Sequence, residues 1–140
     1  MKLEEEVRKY MYDKVIISEV ITPDLYENLA GQTAIFPEDK ALEYLALGMT
    51  SEAGEVAGKV KKLIRDGEDK EGFEMKKLAI ASEIGDVLWY CAMMAKEVGV
   101  PLNDIMKENL KKLHGRKERG TLQGSGAVSY THLRAHETRG

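Results

Sequence analysis

The chain has 140 residues, of which 43% are hydrophobic and 32% charged, and its formal net charge is −3 at pH 7. These values are ordinary for one soluble globular domain, argue against wholesale disorder, and exclude the basic excess that drives nonspecific nucleic-acid binding. The single cysteine, Cys91, excludes a disulfide or a cysteine zinc site within one chain, and it favours a reducing, cytoplasmic location.

The two ends of the chain differ from its middle. Residues 1–21 are predicted to be a lead-in to the domain, either a short charged helix or a loosely ordered segment, and they lack the apolar core of a signal peptide. Residues 22–126 form the predicted domain. Residues 127–140 show no helical or alternating period and resemble a translated cloning or sequencing adaptor, so we exclude them from the predicted fold.

About four main helices are predicted, because the long segments are rich in Ala, Leu, Glu, Lys and Met. Thr22, Pro23 and Asp24 form a helix start, with Thr as the cap and Pro in the first turn, and this first helix ends near residues 31–33. The other helices are expected at about 41–65, 75–97 and 102–114, with a polar loop between 65 and 74.

The predicted third helix is apolar on all sides from 78 to 95, apart from two acids in its middle. A helix of this kind is normally buried. Glu83 and Asp86 are three residues apart, so they share one helical face, and inside a core they would carry a desolvation cost unless a cation offset it. The same acids argue against a membrane span. We therefore predict that they bind a hard metal ion; the alternative is a buried ion pair with a Lys or Arg.

The predicted second helix carries a matching motif, Glu52-Ala-Gly-Glu55. If the two helices pack antiparallel, four carboxylates converge, and ligation by oxygen alone favours Mg²⁺, with Mn²⁺ as a substitute. Lys59 and Lys62 follow on the same face and supply the cations that a polyphosphate requires. Alone, the two glutamates would be read as a solvated face and the two lysines as charge balance.

The second helix also contains Gly48, Gly54 and Gly58, each of which costs about 1 kcal/mol relative to Ala within a helix. We expect close approach of another helix or a ligand to account for them. Tyr90 lies one turn beyond Asp86 and is expected either to donate to a phosphate or sugar oxygen or to pack in the core with a satisfied hydroxyl.

These motifs resemble the MazG-like family of nucleoside triphosphate pyrophosphohydrolases over residues 22–126. The segments that carry the resemblance are EYLALGMTSEAGEVAGKVKK at 43–62, SEIGDVLWY at 82–90 and NLKKL at 109–113. The resemblance implies an all-α helical bundle and hydrolysis of NTPs or dNTPs to a monophosphate and pyrophosphate, for nucleotide-pool housecleaning. It implies magnesium ligation by Glu52, Glu55, Glu83 and Asp86. It also places Asn109 and Lys112 at the substrate. On physical grounds, we expect one acid that is not fully used in ligation, Glu52 or Glu55, to accept the proton of the attacking water.

Alternatives within the superfamily are a phosphoribosyl-ATP pyrophosphohydrolase and a dUTP- or dCTP-selective enzyme. A different class is a noncatalytic helical interaction module whose acids bind a cation structurally. A di-iron carboxylate bundle is disfavoured, because its Glu-x-x-His ligand pattern is missing.

Four helices of this length hardly surround an all-apolar third helix. We therefore expect a homodimer or homotetramer that completes the bundle, with nucleotide as the other partner and neither nucleic acid nor membrane.

Overall fold

The structure, a computed structural model, describes residues 20–67 and 69–122. The predicted lead-in up to residue 19 and the predicted tail at 127–140 lie outside these residues.

The described residues form four α-helices and no strand, which confirms the all-α prediction. A short 3-10 helix precedes the longest pair of helices. The elements, in chain order, are α1 (Pro23–Gly31), the 3-10 helix (Glu38–Lys40), α2 (Ala41–Asp66), α3 (Lys70–Glu97) and α4 (Leu102–Glu118).

Two helix boundaries differ from the predicted ones, and the reason is local. The Asp69 side chain accepts a hydrogen bond of 2.8 Å from the Gly72 backbone N–H, so α3 begins at Lys70 and residues 70–74 are helical instead of forming a loop. Helix α4 continues through Gly115 to Glu118, one turn beyond the predicted end. At α1, by contrast, Thr22 caps the helix as predicted, accepting from the Leu25 N–H at 3.2 Å.

Helices α2 and α3 pack side by side as an antiparallel hairpin, joined by residues 67–69, and they make the most extensive helix contact of the fold. Helix α1 lies against α3, and α4 contacts both α1 and α3. The Glu27 carboxylate of α1 accepts from the Leu102 backbone N–H at 3.2 Å, which fixes the start of α4. The buried cluster is small and consists of Ala30, Leu45, Ala92 and Met93.

Helix α3 is not buried on all sides within the single chain, in line with the expectation that four helices hardly surround it. Its buried residues are confined to its C-terminal part, at Ala92, Met93 and Ala95. Leu78 is 73% exposed and Leu88 is 50% exposed. The physical reason is that the neighbouring helices cover one side of α3 and leave its N-terminal half open.

By length and composition alone, Glu71–Glu97 could cross a membrane: its most apolar window has a mean hydropathy of 1.3. Glu83 and Asp86 stand in the middle of that segment. Charged groups at mid-membrane carry a large free-energy cost, so the apolar surface of α3 fits better against protein than against lipid.

Candidate metal centre

Three carboxylates meet where α2 and α3 cross. Glu52, Glu83 and Asp86 each present one oxygen, and these three oxygens lie within 4.8 Å of one another. Glu52 and Glu83 are partly buried, and Asp86 is exposed. The antiparallel hairpin therefore brings together three of the four predicted metal ligands.

The fourth predicted ligand, Glu55, is exposed and lies outside this group of three. Residues three apart on a helix are offset by about 60° around its axis, so Glu55 is turned toward the edge of the α2–α3 contact while Glu52 faces it. Its role as a ligand stays a prediction.

A lysine already contacts the acidic cluster. The Nζ atom of Lys59 is 3.0 Å from Oε1 of Glu83, and the side chains of Lys59 and Glu83 are 31% and 17% exposed. The alternative of an ion pair for the α3 acids is thus realised for Glu83. Three carboxylates and one ammonium leave a formal charge of −2 at this point of the surface.

The Tyr90 ring lies against Gly48 so closely that a side chain at position 48 would overlap it. Tyr90 shares a side-chain hydrogen bond with Tyr44. Burial makes the largest contribution to a raised pKa of Tyr90, and Tyr44, Glu52 and Asp86 raise it further. The Tyr90 hydroxyl is therefore protonated beside the carboxylates. The packing expected for Tyr90 is observed: its ring lies in the helix contact and its hydroxyl shares a hydrogen bond with Tyr44. A contact between this hydroxyl and substrate stays a prediction.

Tyr26 of α1 lies close enough to Asp86 to feel the charge of its carboxylate. Its pKa is raised by burial first and by the Asp86 carboxylate next. Asp86 therefore has a tyrosine near it from α1 as well as from its own helix, which keeps hydrogen-bond donors close to an acid that water also reaches.

An aromatic group of four rings adjoins the centre, and the contacts among these rings were not predicted from the sequence. Phe36 stacks on Tyr44 with centroids 5.8 Å apart and meets the Trp89 ring edge-on at 6.4 Å. Trp89 in turn lies edge-on to Tyr90, with centroids at 5.0 Å. Phe36 precedes the 3-10 helix, Tyr44 is in α2 and Trp89 in α3, so no periodicity within one helix could have shown that their rings meet.

The remaining predicted substrate residues are not drawn into this centre. Lys62 is exposed and acts electrostatically on Asp66, one turn further along α2. Asn109 is exposed and Lys112 is partly exposed, both on α4. Within residues 20–67 and 69–122, neither makes a hydrogen bond or an ion pair with the acidic cluster.

The donor set fits a hard divalent cation. Carboxylate oxygens are the protein ligands that Mg²⁺ and Mn²⁺ prefer. The three oxygens already lie within 4.8 Å of one another, and rotation of the side chains would bring them closer together around one ion. Neither His nor Cys belongs to the group, so zinc is disfavoured.

Comparison with known proteins agrees with this geometry. Residues 40–121 match the MazG nucleotide pyrophosphohydrolase domain. The chain belongs to the MazG family. The matched residues contain α2, α3 and α4, and with them the whole acidic cluster of this MazG domain.

The MazG chain is also 40% identical over 111 residues to the "Gene 37 protein" of Mycobacterium phage L5, an alignment that covers 74% of this chain and 95% of the phage protein. No solved structure matches the present chain.

Proposed function

We propose that this MazG protein is a magnesium-dependent hydrolase that converts nucleoside or deoxynucleoside triphosphates to the monophosphate and pyrophosphate. The observation that carries the proposal is the convergence of Glu52, Glu83 and Asp86 within 4.8 Å, inside the segment that matches the family. Removal of unwanted nucleotides from the cellular pool is the role we propose for this activity.

In this proposal, Glu52, Glu83 and Asp86 hold the divalent cation. When bound, that ion neutralises polyphosphate charge and makes water more acidic. Glu55 is on the same side of α2 but outside the cluster, so it is the carboxylate left over to accept a proton from the attacking water. Lys59 and Lys62 would stabilise charge on the departing pyrophosphate.

We further propose that the Tyr90 hydroxyl donates a hydrogen bond to a phosphate or sugar oxygen, because it lies close enough to Glu52 and Asp86 to feel both charges. Asn109 and Lys112 would reach the substrate only if binding or subunit association brings α4 toward the centre. Phosphoribosyl-ATP, dUTP and dCTP remain alternative substrates, and a noncatalytic cation-binding module is the alternative class.

A homodimer or homotetramer is part of the proposal. Several large apolar side chains are open to solvent in the described part of the chain, namely Leu47 at 73%, Ile64 at 80%, Leu78 at 73% and Leu110 at 65% exposure. Apolar surface of this extent is typical of an interaction face. A monomer in light scattering at micromolar concentration would contradict this part.

The proposed activity is tested by incubating the protein with a panel of NTPs and dNTPs and Mg²⁺, and resolving products by ³¹P NMR. Monophosphate and pyrophosphate in equal amounts are expected. Inorganic phosphate as the product would exclude a pyrophosphohydrolase, and absence of turnover with every nucleotide, despite cation binding, would favour the noncatalytic module. Glu83→Gln is the matched control, since it removes one ligand charge without changing side-chain size.

A further inference from the structure

Lys59 contacts the acidic cluster and therefore affects how a divalent cation can bind there. The Glu83 oxygen that Lys59 contacts belongs to one of the three carboxylates of the cluster, and the contact distance is 3.0 Å. Both side chains are mostly covered, at 31% and 17% exposure, so the pair is less screened than one at an open surface. The centre thus already contains one cation, which the protein itself supplies.

A divalent cation that enters the cluster must share Glu83 with this ammonium. An ion bound about 2.1 Å from a Glu83 oxygen would lie close to Nζ of Lys59, and the two positive charges would repel each other. A lysine has four methylene groups and several rotamers, so Nζ can leave Glu83 without any change in α2. The acids come from two helices and cannot withdraw as easily.

We propose that Lys59 is a resident counter-cation: it holds Glu83 while the divalent site is empty, and cation binding releases its ammonium to a phosphate group of the incoming polyphosphate. The phosphate part rests on the proposed function. Lys59 is two helical turns from Glu52 on α2, so a released Nζ stays beside the centre, where a polyphosphate on the ion would lie. Metal loading and substrate binding are then coupled through one side chain.

This arrangement predicts that one substitution of Lys59 changes the affinity for the metal ion and the affinity for a triphosphate in opposite directions. Lys59→Met keeps the length of the side chain but removes the charge that competes with the ion. Affinity for Mn²⁺ alone should rise, and affinity for a triphosphate should fall. A lysine that merely orders Glu83 would give the reverse for Mn²⁺, because its loss would leave a less organised ligand.

The first measurement is Mn²⁺ binding without nucleotide, followed by electron paramagnetic resonance of the free ion. Lys59→Met is expected to bind Mn²⁺ about two- to five-fold more tightly than the wild type, the range for loss of one partly screened charge. Lys61→Met removes the same charge from an exposed position about 200° around α2, and is expected to stay within about two-fold of the wild type. Lys59→Arg keeps the charge and should also stay near the wild type.

The second measurement is binding of an α,β-methylene nucleoside triphosphate at saturating Mn²⁺. Lys59→Met should bind it about ten-fold more weakly, as expected for loss of one charged hydrogen bond, while Lys61→Met should not.

Unchanged or weakened Mn²⁺ binding by Lys59→Met would overturn the proposal, and so would unchanged triphosphate binding. If the wild type cleaves no nucleotide, the proposed function fails. The Mn²⁺ comparison contains no nucleotide, so it would still show whether Lys59 competes with the ion.

Discussion

Gly48 is the position where a single methyl group should disturb the candidate centre most directly. A Cβ atom at this position would lie 2.7 Å from Cδ1 of Tyr90 and nearer still to two other atoms of the ring. Carbon atoms pack at about 3.5–4.0 Å, so Gly48→Ala requires the ring to move by about 1 Å or more, or α2 and α3 to separate. Either movement displaces the hydroxyl that lies beside Glu52 and Asp86.

Two opposing terms set the size of the effect. Alanine stabilises a helix interior by about 1 kcal/mol relative to glycine, whereas overpacking a contact costs about 1–3 kcal/mol. Gly54 supplies the matched control on the same helix, because a Cβ there would meet nothing within 4 Å. We therefore expect Gly54→Ala to raise the free energy of unfolding by about 1 kcal/mol and Gly48→Ala to fall about 1–3 kcal/mol below that control.

The assay is urea unfolding followed by circular dichroism, at several protein concentrations so that subunit association is separated from folding. Equal stabilisation by Gly48→Ala and Gly54→Ala would refute the close approach of Tyr90 to α2. A loss in Gly54→Ala that grows on dilution would instead place Gly54 at a subunit contact.

Three other predictions concern the carboxylates, a tryptophan and the cysteine. Glu52→Gln should weaken Mn²⁺ binding about ten-fold or more, whereas Glu55→Gln should leave Mn²⁺ binding unchanged and lower kcat. Equal losses of Mn²⁺ affinity in the two variants would show that both acids bind the ion. The Trp89 indole N–H donates to the Thr33 hydroxyl at 2.8 Å, so Trp89→Phe should lower the free energy of unfolding by at least about 0.5–1.5 kcal/mol, and an unchanged urea midpoint would contradict this. Burial raises the pKa of Cys91, which lowers its thiolate fraction at pH 8. Iodoacetamide should therefore react more slowly with Cys91 in the folded protein than in the urea-unfolded chain. Equal rates would show that the thiol is accessible in the folded protein.

The helical fold was predictable because helix-forming residues and an effective cap at Thr22 are local features of the sequence. The acidic pairs at i, i+3 also predicted where two helices would meet. Asp69 was missed as a helix cap because it stands in a run of polar residues that reads equally well as a loop.

The details of the centre depended on the angle between two helices, which periodicity does not give. Spacing alone makes Glu55 and Lys59 equally good neighbours for the α3 acids, and only the packing shows that Lys59 contacts Glu83. The same holds for Gly48, whose need for a small residue is explained by Tyr90 on the other helix. The single chain leaves α3 partly exposed, and a composition that is apolar on all sides does not specify whether the cover of a helix comes from the same chain.

The most direct test of the metal centre is anomalous X-ray diffraction from crystals of the protein soaked in Mn²⁺. We expect one strong peak within bonding distance of carboxylate oxygens from Glu52, Glu83 and Asp86, with Nζ of Lys59 moved away from Glu83. A peak absent from this position in crystals with millimolar Mn²⁺, with the lysine still on Glu83, would contradict the assignment of these three acids as the site of a catalytic cation.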